Sequence, residues 1–243
     1  MTPRCFLHGF TGSSKSWQYL AEPTALAPTL VGHAGADDEA LAVDGFEAEV
    51  DRLAALLPSG SAVHAVGYSL GARLALGLAL RHPERVARLT LISGHPGLER
   101  DAERAARRAS DAAWCELMQR EGLAAFVDAW QAQPLWASQA TLAPLLLAHK
   151  RRERLSHSAE GLSRSLRLTG LAEMPNYRER LRELDIPVTL AAGELDAKFC
   201  DLARNMARRL RRVQLEIVPG AGHDLLLERP EFVSELIRRG ERP

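Results

Sequence analysis

The sequence has few cysteines and few lysines. Its three cysteines, Cys5, Cys115 and Cys200, are far apart and form no Cys-x-x-Cys pair. This spacing argues against a disulfide-rich scaffold and favours free, largely buried thiols in a reducing compartment. Only three of the 31 basic residues are lysines, so arginine carries almost all of the positive charge.

Net charge and long apolar runs are absent as well. The 31 Lys and Arg residues balance 31 Asp and Glu residues, so no overall field favours nucleic acid or an anionic membrane surface. No apolar run approaches the roughly 18 residues that a membrane span needs. Because the chain enters its first predicted strand soon after Met1, we expect no signal peptide and a cytoplasmic location.

The most informative motif is Gly-Tyr-Ser-Leu-Gly at 67–71, between an apolar run and a helix-like stretch. A strand that turns sharply into a helix through Gly-x-Ser-x-Gly holds its serine on a strained corner, with the hydroxyl exposed. The flanking glycines allow the turn to close tightly, because they carry no Cβ. Five residues of this kind recur by chance, but here strand and helix stand on the correct sides. Ser69 is therefore a candidate catalytic serine.

Two further polar residues stand just beyond predicted strands. Asp196 follows the apolar run at 188–191, and His223 follows the run at 215–218. In open parallel sheets, sites assemble at the carboxyl ends of the strands. The chain order Ser69, Asp196, His223 is the order in which α/β-hydrolases carry their catalytic triad.

Apolar runs alternate with helical segments, which predicts an α/β fold with a mostly parallel sheet of about six strands flanked by helices. The predicted strands lie near 4–8, 27–31, 62–67, 86–92, 187–192 and 213–218. The predicted helices between them lie near 16–21, 46–57, 70–81, 199–210 and 231–239.

Residues 99–183 interrupt this alternation, because they contain no β-rich run. Four amphipathic helical stretches are predicted there, at 103–117, 123–130, 141–154 and 161–168. We therefore expect a core formed by 1–98 and 184–243 and an inserted helical lid formed by 99–183. A lid of this kind excludes water and shapes the pocket.

The chain resembles the α/β-hydrolases over nearly its whole length and, more specifically, the 2-succinyl-6-hydroxy-2,4-cyclohexadiene-1-carboxylate synthases of menaquinone synthesis. The triad motifs indicate only the superfamily. The arginine after the serine motif, the His-Pro-Gly-Leu segment and the lid Trp-x-x-x-Pro are more specific to these synthases. The segments that carry the resemblance are Leu-His-Gly-Phe-Thr-Gly-Ser at 7–13, Gly-Tyr-Ser-Leu-Gly-Ala-Arg at 67–73, Gly-His-Pro-Gly-Leu at 94–98, Glu-Leu-Asp-Ala-Lys-Phe at 194–199 and, in the lid, 103–108 and 129–135.

The resemblance implies elimination rather than hydrolysis. In this family a proton leaves the ring of 2-succinyl-5-enolpyruvyl-6-hydroxy-3-cyclohexene-1-carboxylate, the double bonds shift, and pyruvate departs. It implies that Ser69, activated by His223 and Asp196, acts as a general base. It also implies that the backbone N–H groups of Phe10 and Leu70 form an oxyanion hole.

The sequence is also compatible with two other functions. The same triad would serve acyl transfer, so a serine hydrolase of a small ester or carbon–carbon bond, with Ser69 as nucleophile, is the second hypothesis. A non-catalytic binding protein on this scaffold is the third, since fold does not determine function. The complete triad argues against the third.

The substrate that the resemblance implies carries three carboxylates, so we expect a small polyanionic ligand. Arg73 lies one helical turn after Ser69 and can face the same cavity. Guanidinium groups pair bidentately with carboxylates. The alternative to substrate binding for the lid arginines is a position on a solvated helix face. For Tyr68 and Trp130 the alternative is a role in packing alone. The further substrate-binding residues implied by the resemblance are Tyr68, Arg107, Arg108, Trp130 and Arg154.

The remaining histidines are expected to have structural roles. His8 should brace the His-Gly turn, and His95 should stabilise a turn. His33 stands in Val-Gly-His-Ala, where the family usually has Pro-Gly-His-Gly, and Ser158 replaces a frequent lid asparagine. No spacing of His, Cys and Asp supports a metal site, so we expect neither a metal nor a cofactor.

Overall fold

A parallel five-stranded sheet forms the centre of the structure. The computed structural model describes residues 2–20 and 25–239, and the strands follow one another across the sheet in chain order. All four strand pairs are parallel. The strands are β1 (Arg4–Leu7), β2 (Val63–Tyr68), β3 (Val86–Ile92), β4 (Val188–Gly193) and β5 (Val213–Val218).

The strand predicted at 27–31 is wrong. The sheet is extended there only by an isolated parallel bridge between Leu26 and Cys5. Phe6 donates its N–H to the Leu26 carbonyl (2.8 Å), and Leu26 donates to the Arg4 carbonyl (3.0 Å). Pro28 has no N–H to continue such a ladder, so the segment turns away after one bridge.

Eight α-helices accompany the strands in the described residues. The predicted helix at 16–21 is wrong within the described part: Ser14–Trp17 is a short 3-10 turn capped by Ser13, and Ala21 lies outside the described residues. The helices are α1 (Phe46–Leu56), α2 (Leu70–Arg81), α3 (Asp101–Gln131), α4 (Pro144–Leu155), α5 (Ala159–Thr169), α6 (Ala197–Ala207), α7 (Leu225–Glu228) and α8 (Pro230–Arg239).

Apolar side chains alternate between the two faces of the sheet and form two hydrophobic layers. Cys5 and Leu7 on β1 belong to the cluster that packs against α1, α2 and α6. Phe6 points to the opposite face, where it meets Trp17 with ring centroids 5.1 Å apart in a cluster that includes α8. Because strand side chains alternate between faces, each inner strand contributes to both layers.

Helices α3, α4 and α5 lie between β3 and β4 in sequence and share a separate hydrophobic cluster. The two helices predicted at 103–117 and 123–130 are parts of α3, which is interrupted at Gly122 (φ 85°). Phe10, from the loop after β1, packs against Phe126 and Trp130 of this cluster. The inserted helices therefore rest on the loop that follows the first strand.

The direction in which the chain adds segments to the sheet reverses at β1. The chain leaves β1, forms its Leu26 bridge on one side and returns to place β2 on the other side. A reversal of this kind opens a crevice at the carboxyl ends of the strands, where ligands bind in open α/β sheets. Ser69 lies immediately after β2, at this edge.

Candidate active site

Ser69 stands on a strained corner between β2 and α2. Its backbone has φ 52° and ψ −106°, a conformation that side-chain-bearing residues rarely adopt. A Cβ on Gly67 would collide with the backbone of Gly71, and one on Gly71 would collide with the Leu7 carbonyl. The two glycines are therefore required sterically, and the turn presents the Ser69 hydroxyl above the sheet.

The three residues of the predicted triad meet. His223 Nε2 lies 3.0 Å from Ser69 Oγ, and His223 Nδ1 lies 2.7 Å from Asp196 Oδ2. A carboxylate can only accept, so Nδ1 carries the ring proton and Nε2 is left to accept from the serine hydroxyl. This is the tautomer that a general base needs.

Asp196 is held by the helix that it starts. Its Oδ1 accepts the N–H of Phe199 (3.3 Å) as the N-cap of α6, which leaves Oδ2 for His223. The His223 ring is enclosed by Phe199 at 4.5 Å and Trp136 at 5.5 Å between centroids. The imidazole is therefore fixed by one carboxylate and by aromatic walls.

The backbone of His223 is held separately. Ser93, just after β3, donates its hydroxyl to the His223 carbonyl at 2.8 Å. Ser93 itself has a positive φ of 49° and is almost fully buried. Strained residues of this kind persist where the surroundings over-determine them, often at functional sites.

Phe10 and Leu70 flank the serine on the cavity side. Among the residues that the structure describes, neither backbone N–H donates a hydrogen bond to another protein group. The absence of a Cβ on Gly71 lets the carboxyl end of β1 approach the serine turn closely. Both N–H groups are therefore available to a ligand, as the donors of an oxyanion hole must be.

A cavity of about 290 Å³ opens above the triad. Its aromatic wall comes from Trp114, Trp130, Trp136 and Phe199, and its charged residues are Arg73, Arg107 and Lys198. Mostly apolar walls with a few placed polar groups are the usual form of a small-molecule site. The cavity lies between the sheet edge and the inserted helices.

Arg73 is a buried cation without a carboxylate partner among the described residues. It is 9% exposed, and its Nη1 donates to the Thr169 carbonyl at 2.9 Å. Burial, together with the neighbouring charge of Arg107, lowers the pKa of Arg73 to about 9. A desolvated guanidinium that faces a cavity is poised to bind an anion.

The lid arginines differ in position. Arg107 lines the cavity and pairs with Asp111 at 2.9 Å. Arg108 does not line it: the side chain is 57% exposed and pairs with Glu173 at 2.8 Å on the outer face. The two are adjacent on α3, so the helix turn of about 100° per residue points them to different sides.

Arg154 and Tyr68 are both buried, but only Arg154 lies behind the wall of the main cavity. The Arg154 guanidinium lies 5.1 Å from the centre of the Trp136 ring and lines a smaller neighbouring cavity rather than the main one. Tyr68 lines both cavities, and its hydroxyl has no partner among the described residues. Trp130, the other aromatic candidate, also lines the main cavity.

Several cavity residues were missed by sequence reasoning. Lys198 and Phe199 follow Asp196 in a segment that carried the resemblance, so their position could have been suspected. Trp136 and Ser93 gave no signal, because their place depends on how the elements pack. His95 lines the cavity as well as accepting the N–H of Gly97 (3.0 Å), so its predicted turn contact is present.

Within 2–20 and 25–239, no group of three or more His, Cys, Asp or Glu side chains could hold a metal ion. None of the described helices is both long and apolar enough to cross a membrane.

Comparison with known proteins decides the family. A model of the alpha/beta hydrolase family matches residues 6–236. This chain belongs to the alpha/beta hydrolase family. The 2-succinyl-6-hydroxy-2,4-cyclohexadiene-1-carboxylate synthase of Enterobacter sp. (strain 638) is 36% identical over 236 residues, which cover 94% of this chain and 87% of that protein. The predicted resemblance to these synthases is confirmed.

Solved structures of this family agree. The structure of MenH from S. aureus matches with a TM-score of 0.92 at 28% identity, covering 98% of this chain and 92% of that one. A thermophilic esterase from Thermogutta terrifontis, with malate bound, matches with a TM-score of 0.81 at 25% identity, covering 99% and 89%. The predicted α/β-hydrolase fold is confirmed, with five strands in place of about six.

Proposed function

We propose that this protein is a carbon–oxygen lyase of menaquinone synthesis. Its substrate would be 2-succinyl-5-enolpyruvyl-6-hydroxy-3-cyclohexene-1-carboxylate, and its products pyruvate and 2-succinyl-6-hydroxy-2,4-cyclohexadiene-1-carboxylate. The observation that carries the proposal is the buried Arg73 in the cavity of the Ser69–His223 pair, which has no carboxylate partner in the described part of the chain. The 36% identity to the Enterobacter synthase supports it. A cation in that place suits an anionic substrate better than a neutral ester.

Proton removal is assigned to Ser69. A serine hydroxyl is far too weak a base alone, but His223 Nε2 lies 3.0 Å away and can take its proton as the ring proton of the substrate is abstracted. Asp196 then faces the imidazolium that forms, at 2.7 Å. The triad thus supplies a base near neutral pH without forming an acyl-enzyme.

Negative charge develops on a substrate carbonyl oxygen as the ring proton leaves. We assign its stabilisation to the N–H groups of Phe10 and Leu70, which flank Ser69 in the cavity. Donors that need no reorganisation in a water-poor site are worth more than the same groups in water. The displaced electrons shift the ring double bonds and expel the enol of pyruvate.

The carboxylates of the substrate would meet a basic half of the cavity. Arg73 is the strongest candidate, because a backbone carbonyl is its only hydrogen-bond partner among the described residues. Lys198 and Arg107 also line the cavity. Arg154 lies behind Trp136 and is not proposed as a contact in this arrangement, and neither is Arg108.

Helices α3–α5 are proposed to serve as the lid, with 99–183 as the insertion and 1–98 together with 184–243 as the core. Trp114, Trp130 and Trp136 of this insertion line the cavity and so limit the entry of water. We further propose a cytoplasmic location, where a small polyanionic substrate would be supplied in solution.

A serine hydrolase is the second candidate function. The match to the Thermogutta terrifontis esterase favours it, because the same serine, histidine and aspartate could form and release an acyl-enzyme. Arg73 and Lys198 in the cavity would then select an ester that carries its own negative charge.

The deciding experiment is pyruvate release. Purified protein is incubated with the enolpyruvyl cyclohexene carboxylate, and pyruvate is measured with a coupled assay alongside p-nitrophenyl acetate hydrolysis. We expect pyruvate release that Ser69→Ala abolishes and only slow ester hydrolysis. Rapid ester turnover without pyruvate release would exclude the lyase and support the hydrolase.

A further inference from the structure

Thr11 has an unusual backbone next to the proposed oxyanion donor. Its φ is 64°, and it is almost completely buried. A β-branched residue in the left-handed region is a genuine outlier, and such strain persists only where the surrounding contacts hold the residue in place. Thr11 directly follows Phe10, so a rotation at Thr11 would displace the loop that carries the Phe10 N–H.

Two histidines hold both backbone polar groups of Thr11. The Thr11 N–H donates to His33 Nε2 at 3.2 Å, and His157 Nε2 donates to the Thr11 carbonyl at 3.2 Å. The tautomers follow from the opposite ring nitrogens. His33 Nδ1 donates to the Val31 carbonyl (3.1 Å), whereas His157 Nδ1 accepts the N–H of Ala34 (3.0 Å).

The histidines form one packed unit. Their rings meet edge to face with centroids 5.2 Å apart, and the Phe10 ring lies 5.8 Å from that of His33. Burial lowers the pKa of His33 well below its ordinary value and also lowers that of His157. His8, Glu153 and Lys150 are the other titratable groups that act on this unit. Both rings are therefore neutral near pH 7, which the observed hydrogen bonds require.

We propose that His33 and His157 are positioning residues that clamp Thr11 and thereby place the Phe10 N–H for the reaction. The proposal rests on the proposed oxyanion role of Phe10. His157 lies between α4 and α5 in the inserted helices, whereas Thr11 belongs to the core. The inserted helices therefore supply one of the two contacts that position the oxyanion donor, which couples the lid to the chemistry rather than to binding alone.

The test compares two substitutions of similar size at one position. In His157→Gln, the amide can reach the place of Nε2 and keep a donor on the Thr11 carbonyl. In His157→Asn, the shorter side chain reaches only the place of Nδ1 and loses that donor. We expect His157→Asn to lower kcat for pyruvate release about 10- to 100-fold with KM changed less than about 3-fold, and His157→Gln to stay within about 3-fold of the parent kcat.

A second pair tests the other side of the clamp. His33→Gln keeps an acceptor near the Thr11 N–H, and His33→Asn does not, so the same difference in kcat is expected. Equal losses of kcat in the two variants of a pair would overturn the positioning role. So would a change confined to KM, or a loss of kcat that parallels a fall in the thermal midpoint. Unfolding of all four variants would also overturn it, because the histidines would then be structural only.

Labelling of Ser69 separates this proposal from the proposed function. The rate of reaction with a fluorophosphonate depends on the triad and the oxyanion donors but not on the natural substrate. We expect the asparagine variants to react more slowly than the glutamine variants even though the parent reacts slowly. If the parent protein releases no pyruvate but this difference is present, the lyase fails and the clamp stands.

Discussion

Asp196 and His223 are 27 residues apart in the chain, and their side chains meet at 2.7 Å. They follow β4 and β5, which pair in parallel register up to Gly193 and Val218. The loops that carry them therefore start from the same edge of the sheet. Because Asp196 also caps α6, its carboxylate has one oxygen for the helix and one for the histidine.

The two duties of Asp196 can be separated. Asp196→Asn keeps an oxygen that can cap α6 but loses the carboxylate that selects the His223 tautomer. We expect activity to fall at least ~10³-fold while the thermal midpoint changes by only a few degrees. Asp201→Asn, at an exposed pair with Arg204 on the same helix, should change neither quantity. Near-normal activity of Asp196→Asn would remove the aspartate from the catalytic unit.

Strain at Ser69 should be visible in stability. Ser69→Ala and Ser69→Gly both remove the hydroxyl, so each should lose at least ~10³-fold in activity. Only glycine accepts φ 52° and ψ −106° without strain. We expect the free energy of unfolding of Ser69→Gly to exceed that of Ser69→Ala by about 1 kcal/mol or more, measured by urea denaturation. Equal stability of the two variants would show that the turn stores no strain.

The anion-binding role of Arg73 has a matched control in Arg108. Removal of a charge-assisted hydrogen bond to a carboxylate costs about 1.5–3 kcal/mol, so Arg73→Ala should lower kcat/KM by ~10- to 150-fold. Arg108→Ala removes an exposed arginine that pairs with Glu173, and its kinetics should match the parent. Steady-state pyruvate release measures both. Similar kinetics for the two variants would contradict the proposed carboxylate contact.

Stability should fall in mild acid. Burial lowers the pKa of His8 to about 4 and those of His64 and His95 each to about 3, against an ordinary 6.5. Below pH 6.5 the unfolded chain takes up protons that the folded chain does not. The free energy of unfolding therefore decreases as pH falls from 6.5 towards 4, by up to about 2 kcal/mol per histidine between pH 6.5 and 5.

Urea midpoints at pH 7.5 and pH 5.5 measure this effect. His64→Gln replaces one titrating ring by a neutral amide that can still meet the Thr90 hydroxyl, which now lies 2.8 Å from His64 Nε2. The difference between the two midpoints should be smaller in this variant. A parent protein with the same midpoint at both pH values would show that these histidines are not held neutral.

The triad and the helical insertion could be predicted because both leave local signals. Gly67, Ser69 and Gly71 form a turn that only small residues permit, and Asp196 and His223 each follow an apolar strand. The prediction of a strand at 27–31 is wrong because Pro28, despite its apolar neighbours, has no N–H to continue the ladder. Only the single bridge at Leu26 forms in the described residues. Hydrophobic patterns indicate which segments can be strands, but hydrogen-bond donors decide how far they pair.

The sequence by itself determined the alternation of strands and helices, the strained serine turn and the order of Ser69, Asp196 and His223 along the chain. Only the tertiary structure decided that Arg73 and Arg107 line the cavity while Arg108 faces outward. Likewise, only the structure showed that His33 and His157 meet at Thr11. The physical reason is the sequence separation of the residues in contact. Turns and strand patterns depend on neighbouring residues, whereas cavity walls and clamps depend on contacts between segments far apart in the chain.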